Sequence, residues 1–428
     1  MATRRTAIVE SAAIAVGFLI EFFVLEHSIW ADAEYRAAAL RDLLWHGRLS
    51  SYRYSYAGPL FSTPLELLDH LAGREWFLPR YNVLVLLAGC AILWLTQRQR
   101  TSSAVLRAMV LILLAASMFP FHLGHYYGEV FSATAAAVGI ALIHSGRPLA
   151  GWTAFALAVV NQPPMMVGMG IVAALEATRE RRWRQLLPVA LTLALILAEN
   201  WIRRGSPLDL GYGSDGAGRS GVMPYSGLPG FSFPFLFGVL AILFSFGRGL
   251  AFFAPSLWLS FFPRDRDAFH RTYASWMWLL FGMIVVYARW WAWHGAIFWG
   301  PRFFLFAAFP AAWLLASELH GRGPPLRDAA ALAALAFSTW VGIDSAAFHV
   351  KDVYPSPVFP IAEGALNLYT LEFGPLFRPF LHWTPPDWRE WTFIGWALLA
   401  FLCLAEAPAS RMAAAARDRL ARLRQSAS

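Results

Sequence analysis

Arg4-Arg5 followed by the run Ile8–Leu25, IVESAAIAVGFLIEFFVL, decides the class of this protein. At ~1.5 Å per residue a helix over that run reaches roughly 27 Å, close to the ~30 Å of hydrocarbon in a bilayer. Inside lipid every backbone amide needs an internal partner, and the run lacks the alternation of a barrel strand, so a spanning helix is expected. The two arginines set its start in the cytoplasm. A cleaved signal peptide ending near Ala31-Asp32-Ala33 is the weaker reading, because Glu21 and Glu26 interrupt the apolar region. Glu10 and Glu21 are spaced by close to three helical turns and share a face, which should point into protein because a carboxylate at mid-bilayer costs several kcal/mol.

The same pattern recurs along the chain. Of 428 residues, 58% are hydrophobic and 14% charged, more apolar side chain than a soluble domain covers. The net charge of +8 sits in short arginine clusters between apolar runs, as positive-inside topology requires, and not along a nucleic-acid-binding face. Cys90 and Cys403 lie in apolar runs and read as packing residues. The expected fold is an all-α polytopic membrane protein, a single domain over 1–428 with roughly 10–12 membrane segments.

Arginine clusters at 98–107, 179–184 and 264–271 mark the cytoplasmic side. The loops that alternate with them, 27–80, 121–129, 203–230, 289–302 and 345–388, are then external, and the first should carry juxtamembrane helices. Gly151–Val160 and Met165–Leu175 are short for spans and hinge at Asn161-Gln162-Pro163-Pro164, so a re-entrant pair is expected there. The stretch Phe231–Phe262 breaks at Gly247-Arg248-Gly249. Residues 409–428 form a basic cytoplasmic tail suited to anionic lipid or to solvent.

Chemistry is expected in the external loops. Asp32, just past the first helix, can take a proton from a hydroxyl or hold a divalent cation, and it equally fits an ordinary helix N-cap. Glu129, at the start of the fourth helix after His122-Leu-Gly-His125-Tyr-Tyr127, suits a helix dipole without further role. His122 and His125 could join Asp32 and Glu129 around a metal, or be simple interfacial groups. The hairpin Arg289-Trp-Trp-Ala-Trp293-His294 through Gly300-Pro301-Arg302 carries interfacial tryptophans. Arg302 enters an apolar helix and needs an anionic partner, which a phosphate supplies in a geometry that suits its fork. Asp265-Arg-Asp267 and the glycine-rich Gly211–Gly218 are read as a solvated charged loop and a flexible loop.

These segments, in this order and on one face, resemble the polyprenyl-phosphate-sugar-dependent glycosyltransferases of the GT-C superfamily. The residues that carry the likeness are Asp32, Glu129 in Tyr-Tyr-Gly-Glu, the stretch Tyr54-Ser55 to Pro64, Gly247–Leu250 and the Trp-rich Gly-Pro-Arg hairpin. The resemblance implies transfer of a sugar from a polyprenyl-phosphate donor to an acceptor hydroxyl of a glycan, lipid or protein, with inversion, at the periplasmic face of a bacterial cytoplasmic membrane with both termini inside. Asp32 and Glu129 would be catalytic, and Arg302, Arg248 and Arg289 would hold the donor phosphate. Glu34, Arg36, Tyr54 and Ser55 would contact substrate from the first loop, and His125, Tyr127, Trp293 and His294 from the others. A divalent cation, Mg or Mn, is the cofactor this reading allows, with Asp32, Glu129, His122 and His125 as its ligands. The membrane lipids are further partners; nucleic acid is not. A transporter or flippase of lipid-linked or small solutes is the competing class, supported by Glu10, Glu21, Glu199 and the broken hairpin at Asn161.

Overall fold

The computed structural model describes residues 4–211, 230–261, 270–295, 298–321, 323–348 and 363–426. The expectations for 212–229, for Asp265 and Asp267, and for 349–362 fall outside them. The chain is an all-α polytopic membrane protein. Among the described residues six helices are long and apolar enough to cross a membrane, and shorter apolar helices lie among them, including Ser103–Ala115, Gly128–His144, Pro148–Asn161 and Phe235–Phe244.

Helix α1, Arg4–Leu19, continues into a π turn, Ile20–Val24. Ile8, Leu19 and Phe23 face outward, while Glu10 and Glu21 are buried. Glu10 accepts from Nε of Arg107 at 2.6 Å, which gives that buried carboxylate the counter-ion it needs. After a polar segment come α2 (Asp32–His46), a turn at Ala57–Leu60, and α3 (Thr63–Ala72). On α3 the usual pattern is reversed. Glu66 and Asp69 are buried, bonded to Arg41 and to the amides of residues 76–78, whereas Leu67, Leu68 and Leu71 are exposed. An outward leucine face of this kind is suited to contact with lipid.

Next come α4 (Tyr81–Gln97), α5 (Ser103–Ala115), α6 (Gly128–His144), α7 (Pro148–Asn161), α8 (Met166–Glu180) and α9 (Leu187–Arg204); α6 is buried along almost its whole length, whereas α9 is largely exposed. The re-entrant expectation for 151–175 is corrected. Gly151 of α7 packs against Gly139 and Ile143 near the end of α6, and Asn161 at the other end of α7 bonds back to Gly128 at the start of α6. The two helices therefore run antiparallel over their full length, and α8 returns the same distance, so that Glu176 meets His144 at 3.3 Å. Glycines make these crossings close, since a Cβ on Gly139 would stand 2.8 Å from a backbone carbonyl of α7.

Past a broken stretch, α10 (Phe235–Phe244) with short turns at Leu250–Phe253 and Pro255–Phe261, the chain forms α11 (His270–Tyr287), a 3-10 turn Arg302–Ala307, α12 (Ala308–His320) and α13 (Pro325–Ala347). The last helix, α14, runs from Trp388 to Ser426 through Pro408. The basic tail is thus not a separate segment. It prolongs a membrane helix, and Arg411 anchors it by donating to Asp328 at 2.6 Å.

Candidate functional site

At one end of the bundle the segments that precede α2, α6 and α12 meet. Backbone and side-chain bonds fix the first two together: the Ser28 amide donates to Gly124 O at 2.9 Å, and His125 Nδ1 lies 2.9 Å from Ser28 Oγ and 3.2 Å from Trp30 Nε1. Asn82, fully buried at the head of α4, donates to the carbonyls of His122, His125 and Tyr127 at 3.3, 2.6 and 2.9 Å. His125 is therefore a strut between loops.

Asp32 opens α2, but it does not cap it. The N-cap is Ala31, held at φ 53°, a left-handed conformation that strains a residue with a Cβ, and no side chain caps the helix. The Asp32 carboxylate is instead turned into the protein, where Nη1 of Arg302 donates to Oδ2 at 2.6 Å. The same Nη1 lies 3.5 Å from Oε1 of Glu129. On the outer side Nη2 of Arg53 stands 3.7 Å from Asp32 Oδ1 and donates to the Tyr54 hydroxyl at 3.0 Å. Burial pushes the Asp32 carboxyl upward, yet the Arg302 charge, the Tyr54 hydroxyl and Arg53 outweigh it and hold the group below its usual range. Tyr54, buried beside that carboxylate, has its pKa raised and stays a hydroxyl donor.

Arg302 is buried, and its guanidinium lies over the Phe298 and Phe303 rings at 4.0 and 4.9 Å. Gly295 makes room for it. With φ at +73° and the site of a Cβ 3.0 Å from Arg302 Nε, no other residue fits without displacement. Two further guanidiniums are buried without a carboxylate among the described residues. Arg248 donates to Gly247 O at 2.6 Å and Asn367 Oδ1 at 3.4 Å, and feels the charge of Arg302. Arg36, one turn after Asp32, donates to Asn161 Oδ1 at 3.4 Å and lies 4.3 Å over the Tyr54 ring. Nε of Arg36, Arg248 and Arg302, the Tyr127 hydroxyl and Trp293 Nε1 are all buried donors lacking an acceptor. The site thus holds more positive charge and more donors than its two carboxylates satisfy, which is the chemistry of a receptor for an anion with several oxygens.

The structure brings Asp32, Glu129, Arg302, Arg248, Arg36, Tyr54 and Tyr127 into or beside this cluster. Ser55 lies further out and donates to Glu199 Oε2 at 2.8 Å. Glu199 also accepts from the Tyr56 amide and Arg203, so this carboxylate ties down the loop and lines no mid-membrane path. Glu34 and Arg289 are exposed, outside the buried charge cluster. The His294 ring packs beside Trp291 and Trp293. Among the described residues no three His, Cys, Asp or Glu side chains gather as cation ligands: Arg302 stands between Asp32 and Glu129, and the Nδ1 of His125 faces Ser28 and Trp30. Sequence reading passed over Asn82 and Asp344, and took Asn161 and Gln162 only as a hinge. Asp344, buried in α13, accepts from Trp299 Nε1 at 2.7 Å and fixes the Trp-rich hairpin. The signal they share is a polar side chain inside or bordering an apolar run, with nothing in the run to match it.

The chain matches no family model, and no curated protein matches it in sequence. A crystal structure of ArnT from Cupriavidus metallidurans bound to undecaprenyl phosphate is similar in fold, with a TM-score of 0.52 and 16% identity over 96% of this chain and 79% of the other. The chain therefore shares a polytopic α-helical membrane fold with that protein.

Proposed function

We propose that this protein is a membrane glycosyltransferase that moves a sugar from a polyprenyl-phosphate donor to an acceptor hydroxyl at the extracytoplasmic face of a bacterial cytoplasmic membrane. One observation carries the reading: a buried guanidinium, Arg302, bridges Asp32 and Glu129 while a second, Arg248, lies nearby with no acid among the described residues to neutralise it. A phosphate entering between the two arginines supplies that missing charge. The fold it shares with ArnT, which was crystallised with undecaprenyl phosphate, supports a lipid phosphate as the ligand. The arginine clusters at the opposite end of the helices support an external site and cytoplasmic termini.

In this reading Asp32 accepts the proton of the acceptor hydroxyl as its oxygen attacks the anomeric carbon. The bond from that carbon to the phosphate oxygen breaks, and the configuration inverts. Arg302 and Arg248 take up the charge left on the polyprenyl phosphate. Glu129 holds Arg302 from its second side. Mg or Mn would be held by Asp32 and Glu129 once Arg302 had moved to the phosphate. The acceptor is a glycan, lipid or protein hydroxyl.

The test is transfer of labelled sugar from a panel of synthetic polyprenyl-phosphate sugars to membrane acceptors by purified protein, with and without a chelator. Transfer that Asp32→Asn abolishes establishes the class and the base. Absence of transfer from every donor, in protein shown to be folded, moves the assignment to a transporter of lipid-linked solutes.

A further inference from the structure

The residues of the candidate site come from five separate parts of the chain, and two consecutive side chains at the end of α7 touch four of them. Asn161 is buried, and its amide is fully used: Oδ1 accepts from Arg36 Nη1 at 3.4 Å and from the Gly58 amide at 3.2 Å, while Nδ2 donates to Gly128 O at 2.9 Å and Ser132 Oγ at 2.8 Å. One side chain thus joins α2, which carries Asp32, to the turn after Tyr54 and to the first turn of α6, which carries Glu129. Gln162 reaches the other way. Its Nε2 donates to Phe303 O at 3.0 Å and to the Tyr287 hydroxyl at 3.1 Å. The Tyr287 ring stacks on Phe303 at 4.9 Å, and Phe303 both follows Arg302 in the chain and underlies its guanidinium.

A buried amide with all its valences filled from different segments fixes their mutual distance, because any slip leaves a buried donor or acceptor bare. Gly128 shows how tight this arrangement is. A Cβ there would stand 2.5 Å from Arg36 Cζ, so the guanidinium is pressed against the start of α6 and Asn161 holds it in place. The Pro163-Pro164 pair that follows ends α7 and sends the chain into α8, so the dipeptide sits at a fixed corner.

Resting on the transferase reading, we propose that Asn161 and Gln162 are positioning residues with separable tasks. Asn161 sets Arg36 and the Asp32 and Glu129 segments for the attack on the sugar. Gln162 sets the Phe303 shelf that aims Arg302 at the phosphate of the donor lipid.

The experiment compares Asn161→Leu, Asn161→Asp, Gln162→Leu and Gln162→Glu with wild type in the full-length purified protein. It measures kcat, donor KM, melting temperature and direct binding of a polyprenyl phosphate. Asn161→Leu should lower kcat by roughly 100-fold, the cost of an ångström-scale misplacement, with polyprenyl phosphate binding unchanged. Asn161→Asp keeps the acceptor for Arg36 and Gly58, loses the donor to Gly128 O, and should fall between Leu and wild type at a wild-type melting temperature. Gln162→Leu and Gln162→Glu should weaken polyprenyl phosphate binding and raise donor KM by the same factor, on the order of tenfold. The same proportional loss of kcat and binding in all four variants, tracking a lower melting temperature, reduces the pair to structural packing and overturns the proposal, as does wild-type behaviour in all four. A wild type that transfers no sugar refutes the transferase reading instead, and the binding arm then still decides the proposal, which requires that only the Gln162 variants weaken it.

Discussion

Nη1 of Arg302 donates to Asp32 at 2.6 Å and lies 3.5 Å from Glu129, so one cation covers both carboxylates of the site. In this arrangement the proposed base is bonded to the group proposed to receive the leaving phosphate. A donor phosphate and Asp32 therefore compete for one guanidinium, and a phosphate that wins frees the carboxylate for the acceptor.

Replacing Asp32 by Asn should separate the two halves of that competition. Transfer is expected to fall by roughly 10²–10⁴-fold with loss of the base. Binding of a polyprenyl phosphate, measured directly on the same protein, should become tighter by on the order of tenfold, or ~1.4 kcal/mol, because Arg302 no longer has to leave a carboxylate. Weaker lipid binding in Asp32→Asn would show that the two anions do not compete.

Arg248 should trade stability for binding. Among the described residues its buried guanidinium has carbonyl and amide partners but no carboxylate, and Nε has no acceptor. Arg248→Met removes an uncompensated buried charge and is expected to raise the stability of the empty protein by about 1–3 kcal/mol, seen as a higher melting temperature. The same variant should lose the stabilisation that polyprenyl phosphate gives to wild type.

The pH dependence should change when donor binds. Asp32 is held below the usual carboxylate range because Arg302, Tyr54 and Arg53 outweigh the burial that raises it. Its folded pKa is thus below the unfolded value of ~3.9. The stability it contributes is complete above that value and is lost as pH falls through the folded pKa. A phosphate that draws Arg302 away removes the main charge favouring the anion, so the carboxyl titrates at higher pH in the donor complex. The acid limb of kcat should then lie at higher pH than that of kcat/KM for the donor. Coincident limbs would mean that Arg302 stays on Asp32 throughout.

Gly128→Ala tests the packing of Arg36. In a helix the change alone favours Ala by ~1 kcal/mol. Here the new Cβ would lie 2.5 Å from Arg36 Cζ, so the guanidinium must move off the start of α6. The expected result is reduced transfer with little change in melting temperature. Wild-type kcat in this variant would remove Arg36 from the reaction.

The spans were legible because their signal is local. An apolar run long enough for a bilayer can only be a helix there, and α1, α4 and α13 lie close to where hydropathy put them. Asp32, Glu129 and Arg302 could be singled out for the same reason, each being a charge set against apolar sequence. The re-entrant reading of 151–175 failed because length alone counted against two helices, of which α7 runs along α6 through close glycine contacts and α8 packs its Gly168 against Gly282 of α11. His122 and His125 suggested a metal by residue type, but Nδ1 of His125 is turned to Ser28 and Trp30, residues nearly a hundred positions away.

By itself, then, the sequence determined that this chain spans a membrane as helices and which charges stand out, because desolvation acts on each segment separately. Only the tertiary structure decided that Arg302 lies on Asp32 across 270 residues, that Arg248 is left without an acid among the described residues, and that Asn161 and Gln162 join the parts. Such pairings are set by which helix faces meet, and no local pattern of residues encodes them.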